Sequence, residues 1–177
     1  DDLAPTIGPV QKLFAAVLAV FAPMRVIELA CGQRQRTTID DLTDRAGTME
    51  INLGAEDNAG SASVNLVYRE DRPTERVDCT TLDKYLSERG LTRLDVLKID
   101  VEGHEPFVVR GMSETLRKLK PLLLVEVRGD MLEEVGSSRE ALFAQIAEHG
   151  YFPYALTRRG WPRPMRIPVD GNLIVFS

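Results

Sequence analysis

Only two cysteines occur in the 177 residues, Cys31 and Cys79, and they make neither a disulfide framework nor a zinc spacing. A chain of this length buries roughly 70% of its unfolded surface, so its core needs no covalent or metal cross-link. A reduced, cytoplasmic compartment is the simplest expectation. Basic excess is lacking too: 22 Lys and Arg stand against 27 Asp and Glu, a net charge of −5. A binder of phosphate backbone normally shows the opposite balance, so nucleic acid is not an expected partner. There is no long apolar run either. The longest, Leu13 to Ala22, has ten residues, whereas a membrane-spanning helix needs about 20. Asp1 and Asp2 precede it where a signal peptide carries positive charge, and Pro23-Met24-Arg25 follows without a small-residue cleavage site. The run reads as a core helix, and no membrane partner is expected. No strand is followed by G-x-G-x-x-G, which argues against a dinucleotide-binding oxidoreductase.

What is present is a succession of short apolar runs separated by turn chemistry, on a chain of single-domain length. Strands are predicted over Arg25–Ala30, Thr48–Leu53, Val64–Tyr68, Val77–Thr81, Asp95–Asp100, Leu122–Val127, Tyr151–Leu156 and Leu173–Phe176. Pro9 suits the start of a helix running to Phe21. Further helices are predicted over Leu82–Arg89, capped by Thr81 or Asp83, over His104–Lys120, and over Glu140–His149, capped by Ser137 or Ser138. Leu122–Val127 is the most apolar strand, as expected of a parallel strand covered on both faces. Strands alternating with helices predict an α/β fold with a mostly parallel sheet and helices on both faces. Asp95–Asp100 and Leu122–Val127 should be adjacent and parallel, and the strand ending at Phe176 antiparallel.

In such a sheet, chemistry sits beyond the carboxyl ends of the strands. Asp100, Glu102, His104 and Glu105 fall there, within six residues, and Gly103 permits backbone conformations closed to larger residues. Three carboxylates around His104 predict that its charged form is favoured, and one of them could fix its tautomer for proton abstraction. A second reading stands beside this: a solvated turn in which Glu105 favours a helix start through the helix dipole. The spacing of Asp100, Glu102 and His104 matches no strong metal motif, and no metal is expected.

The segment Lys98-Ile99-Asp100-Val101-Glu102-Gly103-His104-Glu105 resembles the signature of the FkbM family of S-adenosylmethionine-dependent methyltransferases. Its flanks resemble the family in the same order: Ala46 to Glu50, Asn58 to Ser63 as an N-x-G-x-x-S loop, Thr80-Thr81-Leu82-Asp83, Arg110-Gly111 and Pro121 to Glu126. The resemblance is strong from about residue 46 to 127. It implies a class I, Rossmann-like methyltransferase fold, with S-adenosylmethionine as cofactor and a hydroxyl of a sugar or natural-product intermediate as acceptor. For catalysis it points to His104 as first candidate base, with Asp100 or Glu102 as the more general functional group. Many family members have a small residue at the position of His104.

The D-x-G-A-N-x-G-type cofactor loop of the family is not found. Val26 to Gly32 superficially resembles the E-x-G-x-G loop of other class I methyltransferases, but Gln33-Arg34-Gln35-Arg36 supplies no second glycine. A better alignment sets Leu3-Ala4-Pro5 on the family's F-E-P segment and makes Arg25 to Gly32 the third strand. The first strand, cofactor loop and following helix then lie upstream of residue 1, and residues 1–177 are a single, N-terminally incomplete domain. Ala4 takes the place of the ribose-binding Glu, with Asp2 as a possible substitute, and Ala30 and Cys31 fall near the adenine pocket beside Asp100. By itself the chain should bind the cofactor poorly. Acceptor contacts are assigned to Asn58, Ser61, Ser63, Glu126 and Trp161, the last flanked by Arg158, Arg159, Arg163 and Arg166. Two functions compete: an O-methyltransferase, and a non-catalytic relative that binds a carbohydrate or partner protein.

Overall fold

The computed structural model describes residues 26–30, 41–52, 74–156, 162–165 and 172–177. The predicted helix ending at Phe21 and the predicted strand Val64–Tyr68 lie outside them. The main sheet has six strands: β1 (Val26–Ala30), β5 (Val96–Asp100), β6 (Leu122–Val127), β9 (Asn172–Phe176), β7 (Pro153–Leu156) and β8 (Pro162–Pro164), in that spatial order. A smaller sheet orders β2 (Asp41–Leu42), β4 (Thr74–Thr80) and β3 (Gly47–Asn52).

The apolar runs place the centre of the main sheet as expected. β5 and β6 are parallel neighbours, with Val96 opposite Leu122 and Ile99 opposite Val125. β9 runs antiparallel to β6 and to β7. The sheet as a whole is mixed rather than mostly parallel, because β7–β8 is antiparallel as well. The cause is connection length. Only residues 157–161 separate β7 from β8, and a parallel return needs a dozen or more.

β1 departs from the alignment that made it a third strand. It pairs in parallel with β5, Val26 opposite Val96 and Ala30 opposite Asp100. In a doubly wound sheet that place belongs to the first strand, and the third lies two positions farther out.

Five helices are described: α1 (Leu82–Glu88), α2 (Glu105–Arg110), α3 (Ser113–Lys118), α4 (Gly129–Glu134) and α5 (Arg139–Ala147). Thr81 caps α1, its hydroxyl accepting from Lys84 N at 3.1 Å, and Ser138 caps α5 through Ala141 N, also at 3.1 Å. The single helix expected from His104 to Lys120 is instead two, α2 and α3. At Gly111 the backbone presses against residue 43, and a Cβ there would run into the Thr43 carbonyl oxygen. The Gly111 carbonyl accepts from Asp83 N at 3.1 Å. Asp83 also supplies the missing N-terminal cap of α3, accepting from Glu114 N at 2.9 Å and Thr115 N at 2.8 Å.

All five helices contribute to one core cluster, which includes Leu86, Val108, Leu116, Leu132 and Ile146 and covers the face of the sheet bearing Leu97, Ile99, Leu123, Val125 and Phe176. The alternate residues Val96, Leu124 and Val175 form a smaller cluster on the other face. The expectation of helices on both faces is therefore met on one face among the described residues. Tyr151 closes the core edge by donating its hydroxyl to the Pro121 carbonyl at 2.9 Å, and burial pushes its pKa up to about 12.

Candidate active site

Strand alternation puts Lys98 and Asp100 of β5 on the face of the smaller cluster, beside Leu124 and Glu126 of β6. One step beyond the Ile99–Val125 pairing, Asp100 and Glu126 stand side by side at the carboxyl ends of two parallel strands. The two carboxyl groups are near enough for the Asp100 charge to act on Glu126. The Glu126 carboxyl is accordingly raised above its ordinary value, by burial first and then by the Asp100 and Glu102 charges, with Lys98 opposing. Lys98 Nζ lies 3.0 Å from Asp100 Oδ2, and Lys98 is buried.

Glu102 completes the acidic group from the turn that follows β5. Arg128, the residue after β6, approaches its Oε2 through Nη1 at 3.4 Å and grips Asp130 through Nη2 at 2.7 Å. Burial raises the Glu102 carboxyl, Arg128 opposes the shift, and the charges of Asp100 and Asp130 add to it. Three carboxylates, Asp100, Glu102 and Glu126, are thus brought together with two cations, Lys98 and Arg128. The arrangement can accept a proton from a hydroxyl, hydrogen-bond neighbouring hydroxyls and favour a cationic ligand. No group of three or more His, Cys, Asp or Glu side chains among the described residues is placed to hold a metal ion.

His104 belongs to a different environment. It is 6% exposed, stacks on Phe107 with ring centroids 4.5 Å apart, and its Nε2 lies 3.0 Å from Thr43 Oγ1. The expectation that nearby carboxylates favour its charged form is overturned. Burial pushes its pKa down to about 4, the Asp44 charge opposing and Arg110 adding to the fall. The carboxylates adjacent in sequence are engaged elsewhere: Asp100 with Lys98, Glu102 with Arg128, and Glu105 with the Gly103 amide. Asp44 is itself paired with Arg110 at 3.5 Å, and the Arg110 guanidinium lies over the Phe107 ring.

Of the other residues singled out in the sequence, Ala30 ends β1 beside Asp100. Asp2, Cys31, Asn58, Ser61, Ser63 and Trp161 lie outside the described residues, as do Arg158, Arg159 and Arg166. Arg163 is exposed on β8. Lys98, Arg128 and Thr43 carry contacts that sequence reasoning did not assign. Arg128 had a usable signal, since a charged residue directly after a buried parallel strand sits where ligands bind. Thr43 had none, because its partner is 61 residues away.

No helix among the described residues is long and apolar enough to cross a membrane. Searches of curated proteins and of solved structures returned no match. The family model described as the methyltransferase FkbM domain matches residues 7–153. That span contains the Lys98–Glu105 signature and both strands whose ends carry the acidic group, and the chain belongs to the FkbM methyltransferase domain family.

Proposed function

We propose that the protein is an S-adenosylmethionine-dependent O-methyltransferase acting on a hydroxyl of a small acceptor, a sugar or a natural-product intermediate. The observation that carries this reading is the placement of Asp100 and Glu126 side by side at the carboxyl ends of β5 and β6, with Glu102 beside them. Bound S-adenosylmethionine supplies an electrophilic methyl group and a positive charge. An excess of carboxylate over cation suits that charge, and Asp100 with the end of β1 at Ala30 supports placing the cofactor there, joined by Cys31. Glu126 and Glu102 hold acceptor hydroxyls, with Asn58, Ser61, Ser63 and Trp161 completing the acceptor side.

The reacting hydroxyl must lose a proton as its oxygen attacks the methyl carbon. In this reading the carboxylate pair takes it. A carboxyl whose proton affinity has been raised by burial and a neighbouring charge is a stronger base than an exposed one. Holding acceptor and donor in line supplies much of the remaining acceleration. His104, first in order from sequence, has the neutral form a base requires, but its Nε2 is occupied by Thr43 in a buried layer. It is assigned to the packed interior, and the carboxylates to proton transfer.

The test is transfer of labelled methyl from S-adenosylmethionine to a panel of sugars and hydroxylated intermediates by the full protein. Hydroxyl methylation is expected, and Asp100→Asn should lower kcat by roughly 10²–10⁴. Cofactor binding without transfer to any hydroxyl acceptor contradicts the reading. Failure to bind the cofactor at all supports instead a non-catalytic relative that binds a carbohydrate or a partner protein.

A further inference from the structure

Glu105 takes no part in the proton transfer just described, yet it is placed in the interior directly behind the acidic group. The chain leaves β5 through a turn in which Glu102 and Gly103 both have positive φ, 49° and 91°. His104 N donates to the Val101 carbonyl at 3.1 Å, closing four residues with two left-handed centres, the pattern of a type I′ turn. Positive φ is uncommon for a glutamate, and such a residue persists where its surroundings over-determine it.

Glu105 provides that constraint. Its Oε1 accepts from Gly103 N at 3.1 Å, a buried amide that the turn's own hydrogen bond does not use. Glu105 is 2% exposed, and its Oε2 is buried with no hydrogen-bond partner among the described residues. A glutamate serving only the helix dipole would do so equally well from the surface, without the cost of burying a carboxyl. The buried position is explained by the amide it reaches. Fixing that amide fixes the turn, and the turn sets where the Glu102 carboxylate projects, toward Arg128 and the Asp100–Glu126 pair.

We propose that Glu105 is a positioning residue that locks the 101–104 turn so that Glu102 faces the site of methyl transfer. The proposal rests on reading the Asp100–Glu126 pair as that site. It assigns a function to an acid that touches neither donor nor acceptor.

The test compares wild type, Glu105→Leu and Glu105→Gln in two readouts: hydrogen exchange of the Gly103 amide, and the kinetics of methyl transfer. In Glu105→Leu the Gly103 amide should exchange at least tenfold faster. Its kcat should fall at least tenfold while KM for S-adenosylmethionine stays within threefold. Glu105→Gln keeps a carbonyl acceptor and should restore both to within threefold of wild type. Should Glu105→Leu not fold, Glu105→Asp, whose carboxylate is withdrawn by one methylene, is expected to show the same two losses. A Gly103 amide that stays protected in Glu105→Leu or Glu105→Asp overturns the proposal. So does an unchanged kcat once the amide is released, or a loss that Gln does not rescue. Absence of transfer in the wild type removes the methyltransferase reading instead, and the exchange comparison then decides the turn-locking role alone.

Discussion

Asp100 and Glu102 belong to the same eight-residue signature as His104 and Glu105, yet the two pairs work in opposite surroundings. The first pair sits at the carboxyl end of the parallel strands, half-buried, each acid matched to a cation at 3.0 and 3.4 Å. The second pair is packed into the interior, His104 against Phe107 and Thr43, Glu105 against a turn amide. The division arises at Glu102-Gly103, where positive φ at both residues reverses the chain. A row of polar residues in sequence thus separates into a face at the strand ends and an interior one.

The sharpest way to break that division is to remove the imidazole. His104→Ala should destabilise the fold by about 2–5 kcal/mol, the range for emptying a buried site of this size, while kcat at a permissive temperature changes less than threefold. Denaturant midpoints and turnover measured on the same sample separate the two effects. A tenfold loss of kcat with unchanged stability would move His104 to the reactive side.

The structural pair also predicts opposing pH dependences. The His104 pKa falls from 6.5 to about 4, so the unfolded chain binds more protons between those values. Its contribution is present above pH 6.5 and is lost as pH falls toward 4. The Glu105 pKa rises from 4.5 to about 7, through burial opposed by hydrogen bonds from the Glu105, Gly103 and Val101 backbone, with the Glu102 charge adding. Its contribution is present below pH 4.5 and is lost as pH rises through 7. Each is on the order of 3 kcal/mol, and they oppose one another between pH 4.5 and 6.5. His104→Phe should therefore make the protein lose stability from pH 4.5 to 7 relative to wild type. Glu105→Gln should make it lose stability on acidification below pH 6.5. Unfolding curves at pH 5 and pH 7 check both signs.

Smaller effects test the supports of the structural face. Gly111→Ala places a Cβ against the Thr43 carbonyl and should cost about 1–3 kcal/mol, displacing the residue that holds His104. Thr81→Ala removes a helix cap that touches neither face. It should cost about 1 kcal/mol and leave kcat unchanged.

The legible parts of this molecule are those set by local pattern. The apolar runs at Val96–Ile99 and Leu122–Val127 announced a pair of parallel strands, and Thr81 and Ser138 marked helix starts that the structure keeps. The acids at the ends of β5 and β6 were legible as a candidate site because ligands in such sheets bind beyond the carboxyl ends of the strands. What escaped depends on contacts between distant segments. The break between α2 and α3 is caused by the Thr43 backbone, and the neutrality of His104 by burial against the same residue. The two-residue β2, which brings Thr43 there, has no periodicity to read. The mixed sheet escaped because β8, a three-residue Pro-Arg-Pro strand, resembles a loop in sequence.

The central claim is that proton transfer belongs to the carboxylates at the ends of β5 and β6 and not to the adjacent histidine. Its most direct test is the single-turnover rate of methyl transfer for Asp100→Asn and His104→Phe, measured side by side with saturating S-adenosylmethionine. The account predicts a fall of roughly 10²–10⁴ for Asp100→Asn and less than threefold for His104→Phe. The reverse pattern, a large loss at His104 with Asp100→Asn near wild type, would contradict it.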